Sequence, residues 1–203
     1  MKLTVITGGD TRHAGLISLT YINTLAYCKR HKFRLRLEIW PIGKDPAAWK
    51  KLSLLKNMLD DCEDFAWMLW VDSDTVIIDH TADVYREFVE PAENAGSYMA
   101  CCMGTKALNA GVMALKNCYK SHDFLHRAMA RKHCKKHKWW DQQAMIETMD
   151  DSPDFRSGVF YHELFPWNVQ PKNYRKGTRL IHAAGNGNAK LRIIKKFVNQ
   201  ISK

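Results

Sequence analysis

At 203 residues the chain has the length of one domain with room for a substantial core, and its 46% hydrophobic and 26% charged residues exclude a disordered or fibrous protein. Lys and Arg number 31 against 21 Asp and Glu, a surplus of ten positive charges that suits nucleic acid, an anionic membrane surface or a phosphorylated substrate. No apolar run approaches the length of a membrane-spanning helix, and Leu3-Thr4-Val5-Ile6 is too short for the core of a signal peptide, so a cytoplasmic protein is expected.

The six cysteines (Cys28, Cys62, Cys101, Cys102, Cys118 and Cys134) show no paired metal-ligand spacing and read as reduced thiols. His133-Cys134-Lys135-Lys136-His137 contains metal-binding residue types without further Cys or His partners, and reads as a solvated basic helix end. Residues 190–203 are also basic, with Leu191, Ile194, Phe197, Val198 and Ile201 at helical spacing. Such a helix packs one face on its own domain; contact with a membrane surface is the alternative use of the same pattern.

In chain order, residues 3–7 form a short β-branched strand, and Gly8-Gly9-Asp10 turns out of it, a weak signal on its own for close approach of a nucleotide. Residues 16–29 repeat apolar positions at helical intervals, and residues 33–39 alternate through Leu35, Leu37 and Ile39 as a second strand. This β-α-β opening favours a parallel α/β sheet. Pro46 starts a helix to about residue 59 with Trp49, Leu52, Leu55 and Leu59 on one side.

The stretch Trp67-Met68-Leu69-Trp70-Val71-Asp72-Ser73-Asp74 follows. Its five apolar residues suit a strand covered on both faces, and two carboxylates arrive together at the C-terminal tip, where open α/β sheets bind ligands. Carboxylates this close repel, and a divalent cation relieves the conflict; an acidic turn is the alternative. Residues 75–78 continue extended, and residues 84–89 suggest a helix stopped near Pro91. Residues 98–103 and 108–115 are strand-like, separated by Gly104-Thr105-Lys106, and Gly111 within the second of them predicts a backbone closely approached by another group. Residues 118–131 form a helix, and Trp139-Trp140-Asp141-Gln142-Gln143-Ala144 opens another that ends near residue 149. Residues 178–182 make a last short strand, entering Ala183-Ala184-Gly185-Asn186-Gly187-Asn188.

Five blocks line up in order: Trp49-Lys50-Lys51-Leu52-Ser53-Leu54-Leu55-Lys56, Trp70-Val71-Asp72-Ser73-Asp74, Leu108-Asn109-Ala110-Gly111, Asp141-Gln142-Gln143-Ala144 and Ile181-His182-Ala183-Ala184-Gly185. With a weaker match over residues 23–31, the chain resembles the metal-dependent GT-A glycosyltransferases. It is most similar to the retaining family of fungal galactosyl- and mannosyltransferases and plant xyloglucan xylosyltransferases. The resemblance implies an α/β fold of the Rossmann-like GT-A kind, with a mixed, mostly parallel central sheet flanked by helices in a single domain over residues 1–203. Residues 1–110 would form the nucleotide- and metal-binding half, and residues 111–203 the donor-sugar and acceptor half.

The resemblance further implies a UDP-sugar donor, a glycan acceptor and Mn²⁺, with Mg²⁺ as the alternative ion. Asp72 and Asp74 match the Asp-X-Asp pair and His182 the family's late histidine, a donor set that suits Mn²⁺. Gln142 and Asp141 match catalytic sugar-side residues: Gln142 as the amide oxygen near a cationic transition state, Asp141 as a holder of sugar hydroxyls. Asn109 and Gly111 match the same sugar side, and helix capping is the plainer use of Asp141. Lys51 matches the family's basic residue that helps neutralise the diphosphate, with a solvated helix lysine as the alternative, and Ser73, Gly185 and Lys190 stand as further donor-binding residues. Thr7, Gly8 and Asp10 stand by position where such folds seat uridine and ribose. The chain departs from the family after His182-Ala183-Ala184-Gly185, where Asn188 stands near a phosphate-binding lysine position and Lys190 falls later.

An anchorless chain of this kind is expected to be viral or bacterial, or a domain of a larger protein, and it resembles glycan-building transferases of large algal viruses. Residues 155–173, with His162, Phe165, Trp167 and Asn168, are the expected acceptor loops, Trp167 serving either as a sugar platform or in the core. Two other functions fit parts of the pattern. One is inverting transfer on the same fold with Asp141 as base. The other is a basic module that stacks single-stranded nucleic acid on Trp139 and Trp140, which leaves the carboxylates and His182 unexplained.

Overall fold

A computed structural model describes residues 2–61, 64–104 and 108–201. The chain runs β1 (Leu3–Asp10), α1 (Ala14–His31), β2 (Arg34–Trp40), α2 (Ala47–Asp60), β3 (Trp67–Val71) and β4 (Thr75–Ile77). It continues through α3 (Glu90–Asn94), β5 (Met99–Met103), β6 (Leu108–Lys116), α4 (Tyr119–Ala130), α5 (Trp140–Asp150) and α6 (Pro153–Ser157). β7 (Val159–His162), α7 (Leu164–Trp167), β8 (Leu180–His182) and α8 (Lys190–Ile201) complete it. Six strands form one sheet in the order β2-β1-β3-β6-β5-β7, in which only β6 runs against its neighbours. β4 and β8 pair antiparallel in a separate two-stranded ribbon. The predicted mixed, mostly parallel sheet flanked by helices is therefore present.

The apolar run of β3 explains its central place. Met68 and Trp70 point into the core under α2, α4 and α5, while Trp67, Leu69 and Val71 point into the core shared with α1 and α3. A strand buried on both faces carries no polar alternation, which is what its sequence shows. On α2, Leu52 and Leu55 are fully buried, each contributing about 1.5–3 kcal/mol by the usual measure of apolar burial. The basic helix α8 places Ile194 and Phe197 against Leu16, Val76 and Ile181, so its apolar stripe closes a third small core over the ribbon. Among the described residues no helix is long and apolar enough to cross a membrane.

Several local expectations change. Gly8, Gly9 and Asp10 do not turn; they extend β1, pairing with Glu38, Ile39 and Trp40 of β2. A Cβ on Gly8 would lie 2.2 Å from the Glu38 carbonyl oxygen, so the glycine answers a neighbouring strand. Pro91 does not stop a helix: a π-turn over Tyr85–Val89 runs into α3, and Pro91 sits in the first turn of α3, where its missing N–H is not needed. Residues 155–173 are not a run of loops, since they contain the end of α6, β7 and α7. Cys28, Cys101, Cys102, Cys118 and Cys134 are free thiols, whereas Cys62, Thr105 and Lys106 lie outside the described residues.

Candidate active site

The carboxylates arrive where the parallel strands β1 and β3 end, the position at which such sheets bind ligands. Asp72 leaves β3 with its N–H donating to the Gly111 carbonyl (2.8 Å), and the Thr75 N–H donates to the Asp72 carbonyl (3.0 Å), closing a tight turn. Helix α1 holds this turn from behind. The Thr20 hydroxyl donates to the Ser73 carbonyl (3.1 Å), and the Asn23 amide both donates to the Ile77 carbonyl (3.0 Å) and accepts from its N–H (2.8 Å). The ribbon then pairs Thr75 with His182, and the Ala183 N–H donates to the Asp74 carbonyl (2.9 Å), which brings the late histidine to the early acids.

Ligand atoms of Asp72, Asp74 and His182 all lie within 4.8 Å of one another. His182 Nε2 is 3.2 Å from Asp74 Oδ1 and 3.6 Å from Asp72 Oδ2. This Nε2 is buried and makes no hydrogen bond, because neither carboxylate meets it in hydrogen-bond geometry. On the other side of the ring, Nδ1 stands 2.9 Å from the Asn168 side-chain oxygen, which accepts only from a protonated Nδ1. The lone pair of Nε2 is then turned toward two anions, an arrangement that a divalent cation satisfies. Two carboxylates and one imidazole suit Mn²⁺ better than Mg²⁺, which prefers oxygen and water alone. The residues present therefore fit the metal that the family resemblance implies.

The charges agree with that reading. Burial alone would raise the Asp74 pKa, but His182 and then Lys190, whose Nζ is 2.6 Å away, hold it far below the usual carboxylate range. Burial likewise pushes the His182 pKa down, and Asp74 and Asp72 more than offset it, for a net rise. The site thus demands positive charge whichever group supplies it.

Asn168 was expected among acceptor loops; its side-chain oxygen instead meets His182 Nδ1, so it orients the ring of the candidate cation site. Asn168→Ala is expected to leave the fold intact by circular dichroism and to weaken Mn²⁺ binding about 10- to 100-fold in a calorimetric titration, the usual effect of removing such an orienting partner. Unchanged Mn²⁺ affinity would show that the imidazole needs no such support. Gly111 shares in this arrangement. A Cβ there would lie 2.0 Å from His182 Cε1, so the predicted close approach to this strand glycine is made by the imidazole itself.

Lys51 is 2% exposed and joins three elements, with its ammonium 2.7 Å from Asp141 Oδ2, 2.9 Å from the Ala110 carbonyl and 3.5 Å from Asp72 Oδ1. Burial pushes its pKa down, and Asp141 and Asp72 outweigh that, leaving a charged lysine in the wall of the site. Asp141 is 4% exposed and spends its carboxylate on this pair. Asp72 is further held by the indole N–H of Trp70 (2.5 Å).

One cleft contains the acids, and a second adjoins it at Trp140 and Lys190. The first is lined by Gly8, Gly9, Trp40, Lys51, Ser73 and Asp74; the second by Asn109, Trp139, Gln142, Gly185 and Gly187. In the second, Gln142 Oε1 accepts from the Ala110 N–H (3.2 Å) and Asn109 Oδ1 from the Gly111 N–H (2.9 Å), so an amide from α5 and one from β6 itself gather at the backbone beside Gly111. Lys190 opens α8 and lines both clefts. Thr7 is buried within β1, and Asp10 is engaged by the Arg12 guanidinium (Nε at 3.0 Å) and by His13 Nδ1 (2.8 Å), which together hold its pKa low against burial.

Of the other residues expected to meet an acceptor, His162 gives its Nε2 to the Phe88 carbonyl (2.8 Å) and stacks on the Phe88 ring, while Trp167 is buried edge-on to the same ring. Both serve the core. Phe165 lines a separate cavity with Tyr174 and Arg175. The His133-Cys134 segment is not wholly a solvated helix end: Cys134 is buried, and His133 Nε2 lies 2.7 Å from Glu147 Oε2, with Arg131 at 3.5 Å from the same oxygen. That third group with ligand chemistry, Glu147, came from another helix and had no local signal.

Residues 3–97, just under half of the chain, match the galactosyl transferase GMA12/MNN10 family. No curated protein matches by sequence. Among solved structures, the chain is similar to a glycosyltransferase involved in glycosylation of the major capsid of PBCV-1, with 14% identity, a TM-score of 0.76, and coverage of 97% of this chain and 98% of that one. The galactosyltransferase LgtC, in complex with donor and acceptor sugar analogues, superposes with a TM-score of 0.60 at 11% identity over 98% of this chain and 96% of that one. Drosophila β1,4-galactosyltransferase 7, in complex with manganese, UDP-Gal and xylobiose, gives a TM-score of 0.51 at 10% identity over 95% of this chain and 74% of that one. The fold is GT-A. The family resemblance read from the sequence, and with it the expectation of a glycosyltransferase, is borne out.

Proposed function

We propose that this GT-A chain is a retaining glycosyltransferase that moves a sugar from a UDP-sugar to a hydroxyl of a glycan, with Mn²⁺ held by Asp72, Asp74 and His182. The observation that carries the reading is the buried, unbonded His182 Nε2 turned toward two carboxylates. The manganese and UDP-Gal bound by the Drosophila enzyme of the same fold support the choice of ion and nucleotide. Bound there, Mn²⁺ would act as a Lewis acid that stabilises negative charge on the departing UDP.

The chain's own residues do the rest. Gly8, Gly9 and Trp40 line the cleft assigned to the nucleotide, with Thr7 and Asp10 in the strand behind it, and Ser73 and Lys190 border the diphosphate. In this reading residues 1–110 supply the nucleotide side and residues 111–203 the sugar side, from which His182 reaches back to complete the cation site. Asn109, Gln142, Gly111 and Gly185 surround the donor sugar. Transfer breaks the bond between the sugar's anomeric carbon and the diphosphate oxygen and forms one to the acceptor oxygen. The acceptor's proton leaves with UDP. Attack from the face of departure needs a nearby amide oxygen rather than a strong base, and Gln142 Oε1 has a second lone pair to offer. Asp141, closed into its pair with Lys51, is poorly placed to be the base of an inverting transfer and better placed to anchor Lys51 beside Asp72.

Two measurements test this. UDP is expected to bind in a calorimeter with Mn²⁺ present and at least about tenfold more weakly without it, a difference of about 1.4 kcal/mol. Gln142→Ala is expected to keep UDP·Mn²⁺ affinity within about threefold while transfer falls by about 10²-fold or more, the scale seen when one preorganised transition-state contact is removed. Equal loss of binding and transfer would place Gln142 with the nucleotide instead, and a product of inverted anomeric configuration would remove the retaining assignment.

A further inference from the structure

Part of the chain's surplus positive charge gathers in a trough beside the candidate active site. Arg12, Lys44, Lys132, Lys135, Lys136 and Lys190 line it, and Asp45 is the one carboxylate among its described lining residues. Asp45 is already taken by Lys135 (2.7 Å), while Arg12 turns to Asp10 and Lys190 to Asp74. Lys44, Lys132 and Lys136 are exposed and have no ion-pair partner among the described residues. Two segments distant in sequence, the β2–α2 connection and the 3-10 turn Lys132–Lys136, thus bring like charges to one hollow at a cost in mutual repulsion. An anion in the hollow reverses the sign of that cost.

Trp140 stands where the trough meets the two clefts, and like Lys190 it lines all three. The residue is 42% exposed, and its φ of +36° lies in the left-handed region that a bulky residue adopts only under constraint. Strain of this kind gathers where a side chain is held for a ligand, and the exposed indole gains little from packing. An indole offers a flat apolar face with a polar edge, which suits a sugar ring.

The geometry points to an acidic glycan as acceptor, with its terminal sugar on Trp140 and its carboxylates or phosphates along Lys44, Lys132 and Lys136. This inference rests on the glycosyltransferase reading above. The donor does not account for the trough, since its diphosphate charge would be met by the cation held at Asp72, Asp74 and His182 and by Lys190 at the cleft mouth. Single-stranded nucleic acid would find the same cations, but it has no need of a platform shared with both clefts of the sugar-transfer site, whereas an acceptor must bring its end there.

The test is direct binding, without nucleotide, of two probe pairs that differ only in charge. One pair is tetragalacturonate and its full methyl ester; the other is a phosphomannan oligosaccharide before and after phosphatase treatment. The charged member of at least one pair is expected to bind about tenfold or more tightly than its neutral partner at low salt, and the preferred pair names the acidic group. Lys132→Glu/Lys136→Glu, both on an exposed turn, is expected to abolish that preference and to leave UDP·Mn²⁺ binding unchanged. Trp140→Ala is expected to weaken the charged and neutral members alike, because stacking is common to both. Equal affinity for both members of each pair overturns the proposal. So does tighter binding of an oligouridylate of equal charge that the lysine variant also abolishes, which would assign the trough to nucleic acid. Loss of Mn²⁺-dependent UDP binding in the unaltered protein would count against the transfer reading alone, as the glycan titration is read without it.

Discussion

Asp74→Ala is expected to abolish the Mn²⁺ dependence of UDP binding and to lower transfer by about 10³-fold or more, equivalent to roughly 4 kcal/mol of transition-state stabilisation. The size follows from what the carboxylate touches. Asp74 is 6% exposed, and its two oxygens face His182 and Lys190, so its removal takes away the most deeply buried negative charge of the proposed cation site. Loss of one partner from a buried pair costs about 3–5 kcal/mol where the remaining charge has no escape. Here Lys190 is half-buried and can turn to water, so the cost in fold stability is expected nearer 1–2 kcal/mol. Asp74→Asn separates the two effects: it keeps the size and an acceptor oxygen but lacks the charge, and it is expected to fold normally while binding Mn²⁺ at least about 100-fold more weakly. An Mn²⁺ titration followed by electron paramagnetic resonance, with UDP calorimetry alongside, reads both. Wild-type Mn²⁺ affinity in Asp74→Ala would mean the ion is held elsewhere, and the proposed function would fall with it.

Gly111→Ala is expected to be as damaging to function although it removes no chemistry. The added methyl carbon would sit 2.0 Å from His182 Cε1, 2.6 Å from Nδ1 and 2.8 Å from Nε2, so the imidazole must leave its place. Overpacking of this kind costs about 1–3 kcal/mol, and displacement of the ring also breaks its contact with Asn168. The variant should therefore lose Mn²⁺-dependent UDP binding and unfold at lower urea. The double variant Gly111→Ala/His182→Ala supplies the control. With the ring gone the methyl has room, so stability should recover relative to Gly111→Ala while binding stays lost, a non-additivity that residues in contact produce. Strict additivity of the two substitutions in urea would show that the glycine and the histidine do not meet.

The central strand and its acids were legible because burial on both faces leaves a local mark: five apolar residues, Trp67 to Val71, then two carboxylates. Helices α1, α2 and α8 were legible through apolar spacing on one face. At residues 8–10 the local rule failed, since glycines read as a turn were held extended by hydrogen bonds to β2. Gly111 is the intermediate case. Its position in a strand announced that something must come close, and nothing nearby in the chain said that the visitor is His182. For residues 162, 167 and 168 the local pattern suggested one loop facing an acceptor, whereas the fold sends two side chains to Phe88 and one to His182. Aromatic and amide side chains serve a core, a ligand or the orientation of a histidine with the same residue types, and only the partner distinguishes them.

By itself the sequence determined the sheet class, the helices that cover it, the acidic tip of β3 and, through block order, the kind of enzyme to expect. Periodicity and burial act between neighbours in the chain, so they leave their trace there. The tertiary structure decided that His182 meets Asp72 and Asp74 through the β4–β8 pairing, that Asn168 orients the ring, that Lys51 and Asp141 close on each other, and that Trp140 faces three clefts at once. Those contacts join segments that only the packed sheet and ribbon bring within ångströms of one another, and short-range chain pattern carries no record of such distances.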